Sequence, residues 1–400
     1  MPDTAVGPWG VPFLGYAPFL IGGCIHEKLD RLKEKYGDIF CLNLAGKDVV
    51  IMSEWRLIRD AFNRHELNDR ADLLMFRQFS DGNHGILGSC GNQWRENRRF
   101  TISVLRDFGL SKAPKLNAMI QQEVLKLCDL LRRNEDPQDF QHPLNLAILN
   151  LIWKLTAGKF IRKQFEHGDL QLDGLLDLVS KVKDDAVSLG LLQILPGLLH
   201  VWPLKEVEER KKFVTREPPK DYIEAYFQKM DEFKQKGESN PYFTELQLWV
   251  TVAELFIAGS ETTSSAVRWF VLFLLRHPNM QEKIQSEVDR VVGKERIPSL
   301  DDRNQYWKTP NEFIPERFLD EDGNVMSNLP SLVPFGTGRR QCIGESLAKM
   351  ELFLFVATFM QKFTFCVPQG YPIPSAEADG SFVITSPKPY KFLIRERLHT

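Results

Sequence analysis

One helical pattern, which runs from Glu245 to about Arg276, most constrains how this chain can fold. Thr244 and Gln247 form a capping box at its start, and Pro278 follows its end. At about 1.5 Å per residue this helix would be about 48 Å long, so it would cross a whole domain. Since most of the remaining sequence also has helical periodicity, we predict a single, mainly α domain over residues 1–400, with a small β portion.

The centre of this helix reads FIAGSETTSSA, so small and hydroxyl-bearing residues stand where the most apolar contact is expected. Such residues are poor formers of a helix interior. Tight packing against a neighbour would explain them. A helix that is opened at its centre to hold something would also explain them, and we favour this interpretation because the acid Glu261 lies beside the hydroxyls.

The other elements are predicted from periodicity and turn residues. Helices are expected at 25–37, 54–65, 94–108 and 116–133, and two short strands around Ala45–Gly46. The tail is expected to form short strands and turns. The apolar, proline-broken segment 191–203 fits either a buried turn or an apolar knob that dips into a membrane surface.

Composition excludes several classes of function. The net charge is -2, with 51 basic and 53 acidic residues, which argues against a nucleic-acid binder that works by bulk electrostatics. The six cysteines form no CxxC pair and no Cys or His pair has zinc-finger spacing, so we expect reduced thiols and no zinc site. The sequence shows no secretory signal and no run of 18 apolar residues.

Cys342 stands alone in PFGTGRRQCIGESLAKMELFLF, just before a helical pattern. The glycines Gly336, Gly338 and Gly344 would let this loop approach a flat partner closely, and a helix N-terminus stabilises a thiolate. A nucleophilic thiolate would need a nearby His or Asn, of which the sequence gives no sign. Haem iron, by contrast, accepts a single axial cysteine, and Arg340 could pair with a haem propionate.

The segment FGTGRRQCIG resembles the haem-binding signature of the cytochrome P450 family, Phe-x-x-Gly-x-Arg-x-Cys-x-Gly. Three other segments also resemble family motifs: AGSETT the central-helix motif for oxygen activation, WRENR the Trp-x-x-x-Arg pattern, and PERF the segment ahead of the haem loop. The resemblance covers nearly the whole chain and points to the microsomal class, which hydroxylates steroids, fatty acids, terpenoids and foreign compounds. The five fixed positions of the signature are met by Phe335, Gly338, Arg340, Cys342 and Gly344.

The resemblance implies that Cys342 is the axial ligand of a haem iron and that the matched residues Phe335, Gly338 and Gly344 shape the loop around it. Trp94, Arg98 and Arg340 would hold the haem propionates. Trp94 and Arg98 are four residues apart, so they share one helix face, and both are hydrogen-bond donors, as a propionate requires.

In the long helix, the resemblance implies that Ala258 and Gly259 let the backbone pass close above the porphyrin. Thr262 can donate to the carbonyl of Ala258, which would bend the helix and leave room for water. Thr262 and Glu261 would then handle protons for the reaction.

The reaction implied is the insertion of one oxygen atom of O2 into an apolar small molecule, with electrons from NADPH through a flavoprotein reductase. The reductase would dock on the cysteine side through basic residues such as Arg339. Phe76, Phe79 and Ile86 lie in a segment that resembles a substrate-contact region. The resemblance also implies the cytoplasmic side of the endoplasmic reticulum membrane with peripheral membrane contact, although the family's N-terminal anchor is absent from this sequence.

One family element is missing from the sequence. A Glu-x-x-Arg helix should precede PERF and hold its arginine, Arg317, but SLDDRNQ and YWKTPNEF are fused near Gln305 and Tyr306. The EVDR of residues 287–290 fits the pattern but resembles the preceding helix. A second, smaller shortening is expected within residues 211–226.

Two hypotheses from different classes follow. The chain is a haem-thiolate monooxygenase, or comes from a gene that encodes one, and the gap is a splicing or gene-model artefact. Alternatively, it is a truncated, non-catalytic relative that cannot hold haem. A haem protein that acts as an isomerase or dehydratase without O2 is a third option, which the intact Glu261 and Thr262 disfavour.

Overall fold

The computed structural model of the protein describes residues 6–21, 25–71, 83–110, 113–158, 211, 217–238, 240–293, 296–297, 332–379 and 384–397. This part is mainly helical with two small sheets, which confirms the predicted fold class. Its helices and strands are α1 (Ala17–Leu20), α2 (Ile25–Tyr36), β1 (Ile39–Leu44), β2 (Lys47–Met52), α3 (Trp55–Asn63), α4 (Gly91–Leu105), α5 (Ala113–Arg132), α6 (Gln141–Thr156), α7 (Tyr222–Gln235), α8 (Glu245–Arg276), α9 (Pro278–Val291), α10 (Glu345–Lys362), β3 (Phe363–Cys366) and β4 (Leu393–Glu396).

The long helix α8 has the bounds that the sequence predicts. The Thr244 hydroxyl accepts the backbone N–H of Gln247 at 3.1 Å, as the capping box requires, and Pro278 begins the next helix. Along its length α8 packs against α6, α9, α10 and β3. It therefore runs through the core and carries side chains from one end of the domain to the other.

The core forms where α6 lies between α5 and α8. Helix α6 is mainly apolar between Leu144 and Thr156, and nearly all of these residues, with Asn145 and Asn150 among them, are buried. A helix with apolar residues on every side is stable only when neighbours cover every side. Helix α10 adds Phe355 and Phe359 to the same cluster, so the helix that follows Cys342 is anchored in the core.

Both small sheets are antiparallel. Strands β1 and β2 pair from Ile39 opposite Met52 to Leu44 opposite Lys47, and the turn between them is Ala45–Gly46, with φ of +50° and +84°. Two left-handed residues match the twist of a tight hairpin, so the predicted strand pair is confirmed. Strands β3 and β4 pair the end of α10 with the tail.

Observed helix bounds differ from the predicted ones by a few residues. Helix α4 begins at Gly91, three residues before Trp94, and a π-type turn, Arg106–Leu110, follows it. The apolar, proline-broken segment 191–203, the junction at 305–306, and Phe76, Phe79 and Arg317 lie outside the described residues. None of the described helices is both long and apolar enough to cross a membrane.

Candidate functional site

Cys342 lies in a loop between the short 3-10 turn Gly338–Arg340 and the start of α10 at Glu345. The residue is exposed, and its backbone N–H donates to the carbonyl of Phe335 at 2.9 Å. Gly338 has a φ of +73°, and a Cβ there would lie 2.2 Å from the Phe62 carbonyl oxygen. Only glycine fits this contact, which seats the loop against α3. The predicted position of Cys342 next to a helix N-terminus is confirmed.

Helix α4 brings Trp94 and Arg98 to this loop. The Arg98 guanidinium donates to the carbonyl of Gln341, the neighbour of Cys342, and lies 5.9 Å from the centre of the Trp94 ring. The Trp94 indole N–H is buried and has no hydrogen-bond partner in the part of the chain that the structure describes. Burial lowers the pKa of Arg98, and charge on Cys342 acts in the opposite direction. The structure thus places a cation at the cysteine loop, with the indole of Trp94 next to that cation.

Arg340 joins the same cluster, with its guanidinium 4.2 Å from the centre of the Trp94 ring. Its donors are occupied by backbone carbonyls: Nε donates to Asn68 at 2.8 Å, Nη1 to Ile86 at 3.0 Å and Nη2 to Ser89 at 2.7 Å. Burial, and then the nearby Arg70, lower the pKa of Arg340 to about 10. Arg340 therefore fastens the segment before α4 to the cysteine loop.

The centre of α8 presents small residues to open space. Ala258, Thr262 and Ala266 are exposed, at four-residue intervals, although most of the helix is buried. The Thr262 hydroxyl donates to the Ala258 carbonyl at 2.7 Å, as the sequence predicts. Gly259 points elsewhere, because a Cβ there would lie 2.5 Å from Cδ1 of Ile152 in α6. Close packing on α6 thus explains why a glycine stands at position 259. The exposed stripe is formed by Ala258, Thr262 and Ala266 instead.

Glu261 does not share the exposed face of Thr262. Its side chain is 2% exposed, and its Oε2 accepts the Asn145 side-chain amide of α6 at 3.0 Å. The two residues predicted to handle protons are thus adjacent in sequence, but Thr262 lies on the exposed stripe of α8 and Glu261 faces α6.

A family model described as Cytochrome P450 matches residues 6–305 and 303–394 of this chain. The chain belongs to the cytochrome P450 family. It is 30% identical over 469 residues to Cytochrome P450 2L1 of Panulirus argus, which covers 98% of this chain and 94% of that protein. It is 31% identical over 444 residues to Vitamin D(3) 25-hydroxylase of Sus scrofa, covering 90% and 86%, and 31% identical over 444 residues to Cytochrome P450 2D6 of Homo sapiens, covering 90% and 87%.

The alignment with the Panulirus argus protein is longer than this chain. It extends over 469 positions, whereas this cytochrome P450 has 400 residues. That relative therefore has residues that this chain lacks. The family model matches in two pieces that meet at residues 303–305, within two residues of the junction that the sequence predicts.

Members of the family are haem-thiolate monooxygenases that use O2 and a redox partner, and the described residues fit a haem group. The exposed Cys342 can supply the thiolate. Arg98 and the unpartnered indole N–H of Trp94 are donors of the kind that a propionate needs. Ala258 and Thr262 are small and exposed, as residues that lie against a flat macrocycle would be.

Sequence analysis gave no role at the site to two residues of this cytochrome P450 that organise it, Gln247 and Glu254. Together with Glu261 and Arg268 they form a polar series at seven-residue intervals along α8. Seven residues are close to two helical turns, so all four lie on one side of the helix. A polar residue repeated at that interval in an otherwise apolar helix is a signal that the sequence already contains.

The first two of these residues hold the segment that leads into α4. Gln247 exchanges two hydrogen bonds with Gly85, at 3.1 and 2.8 Å. Glu254 Oε2 accepts the N–H groups of Ile86, at 2.5 Å, and Leu87, at 3.0 Å. Since Arg340 binds the carbonyl of Ile86, this residue is held on one side by an acid of α8 and on the other by a base of the cysteine loop. Ile86 itself is buried.

A further buried acid, Glu351, lies in α10 and is 2% exposed. Burial raises the pKa of its carboxyl to about 8, and a hydrogen bond with Thr263 of α8 opposes that rise. Among the described residues, the carboxyl oxygen Oε1 has no hydrogen-bond partner. The contact between α10, which follows the cysteine loop, and the long helix α8 thus contains a buried carboxyl group whose pKa is raised above its ordinary value.

Proposed function

We propose that this chain is a haem-thiolate monooxygenase that inserts one oxygen atom of O2 into an apolar small molecule, with electrons from NADPH through a flavoprotein reductase. The contact of α4 with the cysteine loop carries the proposal, because it gathers a thiol, a cation and an unused N–H donor. We infer a steroid, fatty acid, terpenoid or foreign compound as the substrate. The name of one relative, Vitamin D(3) 25-hydroxylase, supports an apolar substrate.

In this proposal Cys342 would hold the haem iron through its thiolate, and Trp94, Arg98 and Arg340 would hold the propionates. Nε and Nη1 of Arg340 bind backbone carbonyls, and Nη2 keeps a second N–H beyond the one that it donates to Ser89. When bound, the haem supplies the oxygen chemistry, and the thiolate donates electron density that favours O–O cleavage. The loop is shaped for this role by Phe335, Gly338 and Gly344.

Thr262 and Glu261 handle protons in the proposal. The Thr262 hydroxyl lies on the exposed stripe of α8 next to Ala258, where it can orient water or donate a proton. Glu261 is the neighbouring acid and would reach the same space by turning away from α6. Both residues belong to this chain, so their contributions can be tested separately from the cofactor.

The remaining parts of the proposal concern partners and location. Arg339 is exposed beside the cysteine loop and contacts the His65 ring at 2.6 Å, so this basic surface is available to a reductase. Ile86 would border the substrate through the segment held by Glu254 and Arg340. Relatives of the microsomal class support the cytoplasmic side of the endoplasmic reticulum membrane, with peripheral contact.

A second candidate is a truncated P450-like protein that cannot hold haem and acts as a binding protein. The two-piece family match favours it, because the pieces meet where the Glu-x-x-Arg helix is expected. Arg317 would then lack its carboxylate partner, which costs about 3–5 kcal/mol if the arginine is buried. Sequencing transcripts across Gln305–Tyr306 distinguishes the cases, because a longer in-frame product would make the gap an artefact.

Oxygen labelling tests the proposed reaction. The purified chain is incubated with haem, a flavoprotein reductase, NADPH and isotopically labelled O2, together with a panel of apolar substrates. We expect products that contain one labelled oxygen atom, and none from the variant Cys342→Ser. A haem-loaded chain that consumes NADPH but never labels a product would contradict the proposal.

A further inference from the structure

The position of Glu261 depends on a residue that the family motifs do not include. Asn145 lies in α6 between the buried residues Leu144 and Leu146, is 6% exposed, and donates its amide to Glu261 Oε2 at 3.0 Å. Its other polar atom, Oδ1, has no hydrogen-bond partner among the described residues. A buried carbonyl without a donor is unfavourable, so an apolar side chain would serve the packing of α6 better. Within the described ranges, the contact with Glu261 is the interaction that explains an amide at this position.

The same contact decides which way Glu261 points. A carboxylate in a buried setting needs donors, and Asn145 supplies one from the α6 side of the long helix. Thr262, the next residue, faces the opening and donates to Ala258. To exchange a proton with groups near Thr262, the Glu261 carboxylate must leave Asn145. A hydrogen bond to a charged group shifts such an equilibrium by about tenfold to a hundredfold.

We propose that Asn145 is a positioning residue that holds the Glu261 carboxylate on the α6 side of α8. It thereby sets how often this acid turns to the side where Thr262 lies and exchanges protons there. The inference rests on the proposed function, in which Glu261 handles protons. Asn145 is buried in α6 and donates to Glu261, so in this proposal it acts through that residue.

The first test measures the pair in the protein as expressed, by a double-mutant cycle of thermal unfolding with Asn145→Leu, Glu261→Met and the double variant. We expect Asn145→Leu to be destabilising when Glu261 is present and neutral or stabilising when it is replaced, because leucine then fills an apolar site. Ile148→Val, a buried apolar change in the same helix, serves as the control and should not couple to Glu261. Additive effects of Asn145→Leu and Glu261→Met would overturn the proposal.

The second test separates positioning from mere support. In the haem-loaded chain with reductase and NADPH, we measure the ratio of released hydrogen peroxide to oxygenated product and the solvent isotope effect on product formation. Asn145→Leu should change that ratio at least about threefold, in line with the equilibrium shift above, while Ile148→Val leaves it unchanged. Coupling in the unfolding cycle with an unchanged ratio and isotope effect would show a structural role only and overturn the inference. Failure of the native chain to bind haem would refute the proposed function and this inference with it, whatever the unfolding cycle shows about the pair.

Discussion

Replacing Glu351 by glutamine should change how the stability of this cytochrome P450 depends on pH. Burial raises the pKa of Glu351 from its ordinary value of 4.5 to about 8, although the Thr263 hydroxyl opposes the rise. The folded protein therefore keeps a proton on Glu351 at pH values where the unfolded chain has lost it. Between 4.5 and about 8 the folded state binds more protons than the unfolded state, so this group makes stability fall as the pH rises.

The size of the effect follows from the same two values. Below pH 4.5 the carboxyl is protonated in both states, and its favourable neutral form is fully present. Above about pH 8 the charged form must be buried, and burial is the largest cause of the raised pKa. The difference between the two pKa values corresponds to about 5 kcal/mol at most, because each pKa step of one amounts to about 1.4 kcal/mol. Glutamine has nearly the same shape and cannot ionise.

The assay is urea unfolding of the native chain and Glu351→Gln across the range from about pH 5 to about pH 8. We expect the two proteins to differ little at the acidic end, and the variant to gain on the native chain by several kcal/mol towards the alkaline end. Glu287→Gln serves as a control: its partner Arg290 lowers the pKa of Glu287, so that acid should not produce this trend. Parallel pH curves for the native chain and Glu351→Gln would refute the reasoning.

Three further substitutions test the site. Glu254→Gln leaves both backbone N–H groups, those of Ile86 and Leu87, without a charged acceptor, so faster proteolysis near these residues and weaker substrate binding are expected; native protection would contradict the role. Gly259→Val should lower the free energy of unfolding by about 1–3 kcal/mol, measured by thermal unfolding, because the added side chain would clash with Ile152 of α6. An unchanged Tm would show that α6 shifts to make room and would contradict this prediction. Trp94→Phe removes an unpartnered buried N–H, so we expect stability to be kept while haem retention falls in spectral titration, and retention at the native level would exclude a propionate contact.

Much of the fold could be predicted because local signals agreed with packing. The Thr244 cap, Pro278 and the apolar period fixed both ends of α8, and Ala45–Gly46 placed the first hairpin. The cysteine loop was equally accessible, since glycines, an isolated cysteine and a helix start all lie within a few residues. These features depend on neighbours in the sequence, which is why reading the sequence finds them.

The directions of side chains on α8 could not be predicted in the same way. Gly259 was interpreted as clearance for a cofactor, yet the structure turns it towards Ile152 in α6. Glu261 was grouped with Thr262, but a partner 116 residues away in the chain holds it on another side. Such outcomes depend on which helices pack against α8, and one sequence alone does not contain that pairing.

The buried partners of charged groups could not be predicted from the sequence either. Arg340 was expected to face a propionate, and the structure shows its guanidinium among the carbonyls of Asn68, Ile86 and Ser89. Its propionate role remains a prediction. Glu351 was not singled out at all, because the sequence does not show which neighbour covers its side of α10.

The reduced carbon-monoxide difference spectrum of the chain, expressed as its sequence stands, tests the central claim most directly. If haem is bound through the Cys342 thiolate, the spectrum should show the red-shifted Soret band, and the variant Cys342→Ser should lose it while keeping its fold. Absence of the band in the native chain, or the unshifted band of a lost thiolate, would contradict the claim that this chain is itself a haem-thiolate enzyme.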